Sequence, residues 1–351
     1  MGLLTTTIGA YPKPDYVELP DWFNNPDGPD TANPTESWDK ALEALGPRAA
    51  QIIARGVHEA VSDQVESGID IPTDGEIPRE NYIHYHCRHI DGIDFQKLTE
   101  KSLRGGAYSA RLPTVTGPVH ARDHFLTHDW RVAQGCTERS VKITMPGPMT
   151  ISDTIADAYY HDPKKLGADL AAALNFEVLA LADAGCLHIQ IDEPLFARKV
   201  DEALDYGIEN LERAFHNCPG HVARTVHICC GYPDRLDNPD YPKAPTESYP
   251  RLADAIDASS IMAVSIEDAH RPNDLSLLER FNNTTVILGV VAIAKSAVEE
   301  ADQIRQRLKE ALEHIDADRL IAAPDCGLGL LGRHRAIRKL KNMCDAAKSV
   351  G

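Results

Sequence analysis

The chain has 351 residues, 43% of them hydrophobic and 25% charged, which is the composition of an ordinary globular protein with ample length for a large core. Its 36 basic residues stand against 53 acidic ones, a formal net charge of −17, which excludes nucleic acid as the main partner because that role needs a basic face. No run of about 18 apolar residues occurs, so no membrane-spanning helix is expected.

The first stretch, "MGLLTTTIGAYPKPD", has neither the basic flank nor the apolar core of a secretory leader. Its "TTTIGAY" (5–11) reads as strand one. A long amphipathic helix is expected over 36–68, ending at Gly68, with "DIPTDG" (70–75) as strand two. Residues 77–140 break the alternation and read as a β-rich insertion, with "HYHCRH" (84–89) taken as a solvated hairpin or lid. Further strands are expected at 141–147, 187–194, 224–230, 261–267, 284–293 and 319–327, with helices at 163–185, 296–315 and 333–349. Eight strands alternating with helices predict one (β/α)8 TIM barrel over 1–351, with the insertion after strand two. A doubly wound open sheet is the competitor, but "IGAYPKP" is not the Gly-rich loop that such a sheet carries after its first strand. The eight cysteines are too sparse for a disulfide scaffold, so a reduced, cytoplasmic chain is expected.

Barrel chemistry sits at the C-terminal ends of strands. Reactive groups gather there: Asp74-Gly75-Glu76, Asp192-Glu193, His227-Ile228-Cys229-Cys230, Glu267-Asp268 and Asp325-Cys326. His227 and Cys229 are two apart, so on a strand they share a face, while Cys230 points away. Glu267 and Cys326 complete a set of one nitrogen, two sulfurs and one oxygen, which suits Zn2+. The plainer alternative is a hydrogen-bonded core histidine beside small buried cysteines. Zinc with two thiolates can take up a further thiol and keep it nucleophilic at neutral pH, so thiol alkylation is the natural chemistry.

The segments "IGAYPKP", "PTDGEIPRENY", "PGPMT", "IQIDEP", "HICCGY", "VSIED" and "PDCGL", in that order, resemble the catalytic domain of cobalamin-independent methionine synthase in its stand-alone form. The resemblance implies zinc held by His227, Cys229, Glu267 and Cys326, homocysteine joining the zinc through sulfur, and attack on a methyl group. It implies that Glu76 and Asp192 hold the amino group, and that the Ile8-Gly9 backbone positions the carboxylate. Two carboxylates at a barrel mouth do suit an ammonium.

The chain departs from the family pattern on the donor side. Ala10 stands where the family has a serine hydroxyl, and Thr154 where the larger enzymes have a folate-stacking tryptophan. Ala292 and Ala294 stand at the Asp and acid-His positions, with Lys295 beside them as a candidate replacement acid. The expected partners are therefore a small-molecule thiol and a methyl donor, either methylfolate or a corrinoid, free or protein-bound. The alternative is another thiol or electrophile, as in the epoxide-opening coenzyme M transferases. A zinc-free decarboxylase on the same barrel has no use for the His, Cys, Glu, Cys set.

Overall fold

A computed structural model describes residues 2–24, 33–103, 108–233, 235–238 and 240–350. In chain order its strands are β1 (Leu4–Thr5), β2 (Ile90–Leu103), β3 (Tyr108–Ala121), β4 (Lys142–Pro146), β5 (Ala156–Asp157), β6 (His188–Asp192), β7 (Ala223–Ile228), β8 (Ala263–Ile266), β9 (Thr285–Val291) and β10 (Leu320–Pro324). Seven of them form one parallel sheet in the order β1-β10-β9-β8-β7-β6-β4. The ring closes through the segment 71–73, which bridges Ile71 to Thr6 and Thr73 to Lys142, both parallel. The result is the expected (β/α)8 barrel.

The expected second strand is reduced to those two bridges, and Pro72 is the reason. It has no N–H to extend a ladder. Its carbonyl still accepts from Lys142 N at 2.8 Å. Gln64, on the helix behind, takes over the missing pairing: its Oε1 accepts from Thr73 N at 2.9 Å and its Nε2 donates to Thr73 O at 3.0 Å. The helix expected over 36–68 is two helices, Asn33–Leu45 and Ala49–Ser67, separated by Gly46-Pro47-Arg48. Gly68 ends the second at φ 107°, in the left-handed conformation that glycine adopts freely.

The insertion contains the antiparallel hairpin β2–β3, extended by β5. Lys101 of β2 donates to Asp153 O at 2.6 Å and Ile155 O at 3.0 Å, tying the hairpin to the end of the helix Pro148–Thr154. "HYHCRH" is not a solvated hairpin. Residues His84–Cys87 form a buried helical turn. The Asn81 side chain starts it by accepting from Ile83 N at 2.8 Å and His84 N at 3.1 Å, so the local hydrogen bonds win over the strand alternation.

Inside the barrel, Ile8, Ala263, Ile287 and Ala323 pack as an apolar layer. Lys142 is also buried, at 2% exposure, and its Nζ has no hydrogen-bond partner among the described residues. Burial pulls its ammonium down to about 7, with Asp192 partly opposing. The folded state therefore binds fewer protons than the unfolded chain between about pH 7 and the ordinary lysine range, and stability contributed at this site rises across that window. Lys142→Met is expected to be more stable than wild type at pH 7, with the gap narrowing as pH rises towards 10. Urea unfolding of both proteins at pH 7, 8.5 and 10 reads this; a gap that does not change with pH contradicts it.

Candidate active site

The barrel's C-terminal mouth opens into a cleft lined by strand ends and short connecting segments. Glu76 stands on one wall. Its backbone is left-handed at φ 56°, uncommon for a residue with a side chain, and Asp74 Oδ1 supports the turn by accepting Glu76 N at 3.1 Å. The Glu76 carboxylate accepts from Thr144 Oγ1 at 2.7 Å and Arg79 Nη1 at 3.2 Å, and Arg79 is itself held by Asp74 at 3.3 Å. Burial raises the Glu76 carboxyl, and Arg79 and Thr144 oppose that rise. Gly9 is needed opposite: a Cβ there would come within 2.6 Å of Glu76 Oε1.

Asp192 lies at the end of β6. Gln190, two residues earlier and so on the same face, donates to Asp192 Oδ1 at 2.7 Å and to the Ile8 carbonyl at 2.6 Å. Burial pushes Asp192 up to about 7. Its neighbour Glu193 turns the other way and anchors the "PGPMT" helix, accepting from Met149 N at 2.9 Å, Thr150 N at 3.0 Å and Thr150 Oγ1 at 2.7 Å. A Cβ at Gly147 would sit 2.1 Å from that carboxyl, so only glycine fits there.

His227 and Cys229 share a face at the end of β7, as the alternation predicts, and Cys326 comes to them from the loop after β10. One donor atom from each of the three lies within 4.8 Å of the others. His227 Nδ1 is 2.9 Å from Ser265 Oγ and Nε2 is 3.4 Å from Cys326 Sγ, an arrangement that turns Nε2 towards the thiols. The Cys229 thiol is pulled well below its ordinary value, first by the Cys326 hydrogen bond, while that same bond pushes Cys326 up.

Glu267 is adjacent but oriented differently. Its Oε1 accepts from Cys230 N at 2.9 Å, and its Oε2 is buried with no partner. It groups with His270 and Asp325 rather than with the first three. The donors of His270 and Asp325 are already engaged. Asp325 accepts from the backbone N of Asp268, Ala269 and His270 at 2.7–3.0 Å, and His270 Nε2 accepts from Ala294 N at 3.0 Å. His270 Nδ1 lies 2.7 Å from Asp325 Oδ2, off the hydrogen-bonding direction. Asp325 thus fixes the loop that carries Glu267, and the Glu267 Oε2 is left without a hydrogen-bond partner among the described residues.

Ile8, Gly9, Ala10, Glu76, Asp192, His227, Cys229 and Cys326 all line the cleft. Lys295 does not: it is exposed and lies outside the lining. Tyr82 lines the cleft, whereas Tyr85 points elsewhere and donates to Asp129 at 3.0 Å. Cys230 is buried behind the site, 3.1 Å from Arg271 Nη2. Thr154, at the end of the "PGPMT" helix, presents its carbonyl to His84 Nε2 at 3.1 Å. The sequence reading missed Arg79, Thr144, Gln190 and Ser265. Gln190 and Ser265 each precede a singled-out residue by two, so strand alternation alone flags them; Arg79 and Thr144 are brought together only by the folded chain. It also missed Trp22, Phe23, Arg198 and Tyr232, which complete the cleft from the short 3-10 turn Trp22–Asn24, the end of the four-residue helix Leu195–Arg198 and the segment after β7, all too short to carry a periodic signal.

Residues 26–349 match the family described as cobalamin-independent synthase, catalytic domain. The chain belongs to this family. Proteins named methionine synthase from Saccharolobus solfataricus and Thermococcus kodakarensis are each 29% identical to it, over 99% of this chain and 95% and 93% of theirs. The structure of a B12-independent methionine synthase from Shewanella sp. W3-18-1, in complex with selenomethionine, superposes with a TM-score of 0.85 at 30% identity, covering 99% of this chain and 97% of that one. A putative vitamin-B12 independent methionine synthase from Listeria monocytogenes, at 18% identity and TM-score 0.71, shares the fold. Within the family's barrel, His227 and Cys229 of the HxC pair, Glu76, Asp192 and Cys326 of "PDCGL" line one cleft of this chain.

Proposed function

We propose that this protein transfers a methyl group to homocysteine to give methionine, with zinc held by His227, Cys229, Cys326 and Glu267. The observation that carries the reading is the convergence of one imidazole nitrogen and two thiols within 4.8 Å in the lining of the cleft; the Glu267 Oε2, buried without a hydrogen-bond partner among the described residues, is the oxygen we assign as the fourth donor. Those donors fit the ion's preference for nitrogen, sulfur and carboxylate oxygen. Zinc in that position supplies a Lewis acid that lowers the pKa of an incoming thiol.

The chain's own residues do the rest. Ser265 orients the His227 ring, and Asp325 holds the loop bearing Glu267. Glu76 and Asp192 face the same cleft and take the substrate ammonium, Glu76 being held in place by Arg79 and Thr144. Gln190 fixes Asp192 relative to the Ile8-Gly9 backbone, which receives the carboxylate. Two carboxylates favour an amino-acid thiol over a sulfonate thiol such as coenzyme M. The Shewanella protein's selenomethionine complex supports an amino acid of this shape in the family's cleft. The eight free cysteines fit a reducing, cytoplasmic setting.

The test is zinc content followed by homocysteine titration in weak buffer. About one zinc per chain, with proton release on adding homocysteine but not serine, is the expected result. Metal-free protein, or binding without proton release, contradicts it.

A further inference from the structure

We propose that the methyl donor is a zwitterionic onium carboxylate, a sulfonium or quaternary ammonium whose cationic centre sits among aromatic rings and whose carboxylate meets Arg198. This rests on the reading of the cleft as a homocysteine methyltransferase site.

Three observations converge. The first is aromatic. Trp22, Phe23, Tyr82 and Tyr232 all line the cleft beside Cys229 and Cys326. Trp22 lies 5.0 Å from Phe23, 5.5 Å from Tyr82 and 6.4 Å from Tyr232, centroid to centroid, and Phe23 lies 5.4 Å from Tyr232. Four rings on one small cleft are the arrangement that attracts an alkylated cation through the negative faces of the rings. The second is Arg198. It lines the same cleft, and its Nε is buried with no hydrogen-bond partner among the described residues. A guanidinium with an unused donor inside a cleft calls for a carboxylate. The substrate amino acid already has the Ile8-Gly9 backbone for its own.

The third is the proton inventory. His227, Cys229 and Cys326 are assigned to the metal, and Glu76 and Asp192 to the substrate ammonium. The other titratable side chains lining the cleft are Arg198 and the phenols of Tyr82 and Tyr232, both raised well above 10 by burial and so poor acids. His270 cannot serve, because its Nε2 accepts from Ala294 N and its ring lies outside the lining. Among the described lining residues not already assigned to the metal or the substrate ammonium, none is an acid suited to protonate a departing group. An onium needs none. The homocysteine thiolate supplies the electron pair of the new S–CH3 bond. The bond from methyl to the onium atom breaks, with its pair staying on that atom. A sulfide or tertiary amine, uncharged at sulfur or nitrogen and still carrying its carboxylate, departs. The charges of thiolate and onium cancel, nothing is oxidised or reduced, and no proton moves.

The experiment uses zinc-loaded full-length protein with homocysteine. Dimethylsulfonioacetate and glycine betaine, each CD3-labelled, are compared with CD3-methylfolate and CD3-methylcobalamin, and labelled methionine is read by mass spectrometry. In parallel, glycine betaine and tetramethylammonium are titrated against tryptophan fluorescence. The expected result is label transfer from an onium carboxylate, and quenching by betaine. Tetramethylammonium, which lacks the carboxylate, should bind roughly tenfold more weakly to wild type, and Arg198→Gln should remove that difference. Trp22→Leu should weaken both ligands severalfold. Label from methylfolate or methylcobalamin alone, with homocysteine proton release intact and no betaine binding, overturns this proposal and leaves the homocysteine reading standing. Failure of homocysteine to release a proton overturns both.

Discussion

Cys326→Ser is expected to leave the purified protein with little zinc and methionine formation near background. Even changes to groups that merely orient a metal's ligands cost about 10–100-fold in metal affinity, and removing a thiolate ligand should exceed that. The geometry shows why Cys326 is the sharpest choice. Its Sγ lies 3.4 Å from His227 Nε2, and it reaches the cluster from the loop after β10, apart from the strand that carries His227 and Cys229. Its loss removes one of the two thiolate ligands. Two companion variants calibrate the result. Ser265→Ala removes only the hydroxyl 2.9 Å from His227 Nδ1 and should weaken zinc binding by about 10–100-fold. Cys230→Ser lies next to Cys229 in sequence but packs behind the site against Arg271, and should keep its zinc. Metal content by mass spectrometry, read beside thermal melting, separates loss of the site from loss of the fold. Full zinc in Cys326→Ser contradicts the assignment.

The second large effect is expected at Asp192. Asp192→Asn keeps the shape and the approach to Gln190 but removes the charge that pairs with an ammonium. A hydrogen bond to a charged group is worth about 1.5–3 kcal/mol, so KM for homocysteine should rise about 10–100-fold while zinc content stays full. Glu76→Gln should act in the same direction and cost stability as well. It leaves Arg79, 3% exposed and already carrying an unpartnered Nε, with Asp74 as its remaining ion-pair partner. Steady-state kinetics on zinc-loaded variants checks both; an unchanged KM in Asp192→Asn removes it from substrate binding.

The sequence carried the barrel because its signals are local. Apolar runs of strand length alternate with amphipathic helices, and Gly68 and Gly185 stop two helices in left-handed conformations, at φ 107° and φ 99°. The same locality explains the misses. Pro72 denies strand two its ladder, and only the fold shows Gln64 taking over. "HYHCRH" alternates like a strand, yet Asn81 turns it into helix. At the site, the HxC pair was legible because strand alternation puts both side chains on one face. Tyr82 was legible as a candidate pocket residue; Arg198, Trp22, Phe23 and Tyr232 were not, because short turns and connecting segments impose no period, and which of them meet over the cleft is a property of the whole chain. Lys295 is the converse case: adjacent in sequence to a position of interest, yet exposed and outside the cleft once the chain folds.

The central claim is that a thiol substrate is activated at the His227, Cys229, Cys326 and Glu267 cluster. Zinc-edge X-ray absorption on the protein, without and with homocysteine, tests it most directly. The account predicts two sulfur neighbours before addition, three after, and no change with serine. A sulfur count that stays the same while homocysteine is bound would contradict it.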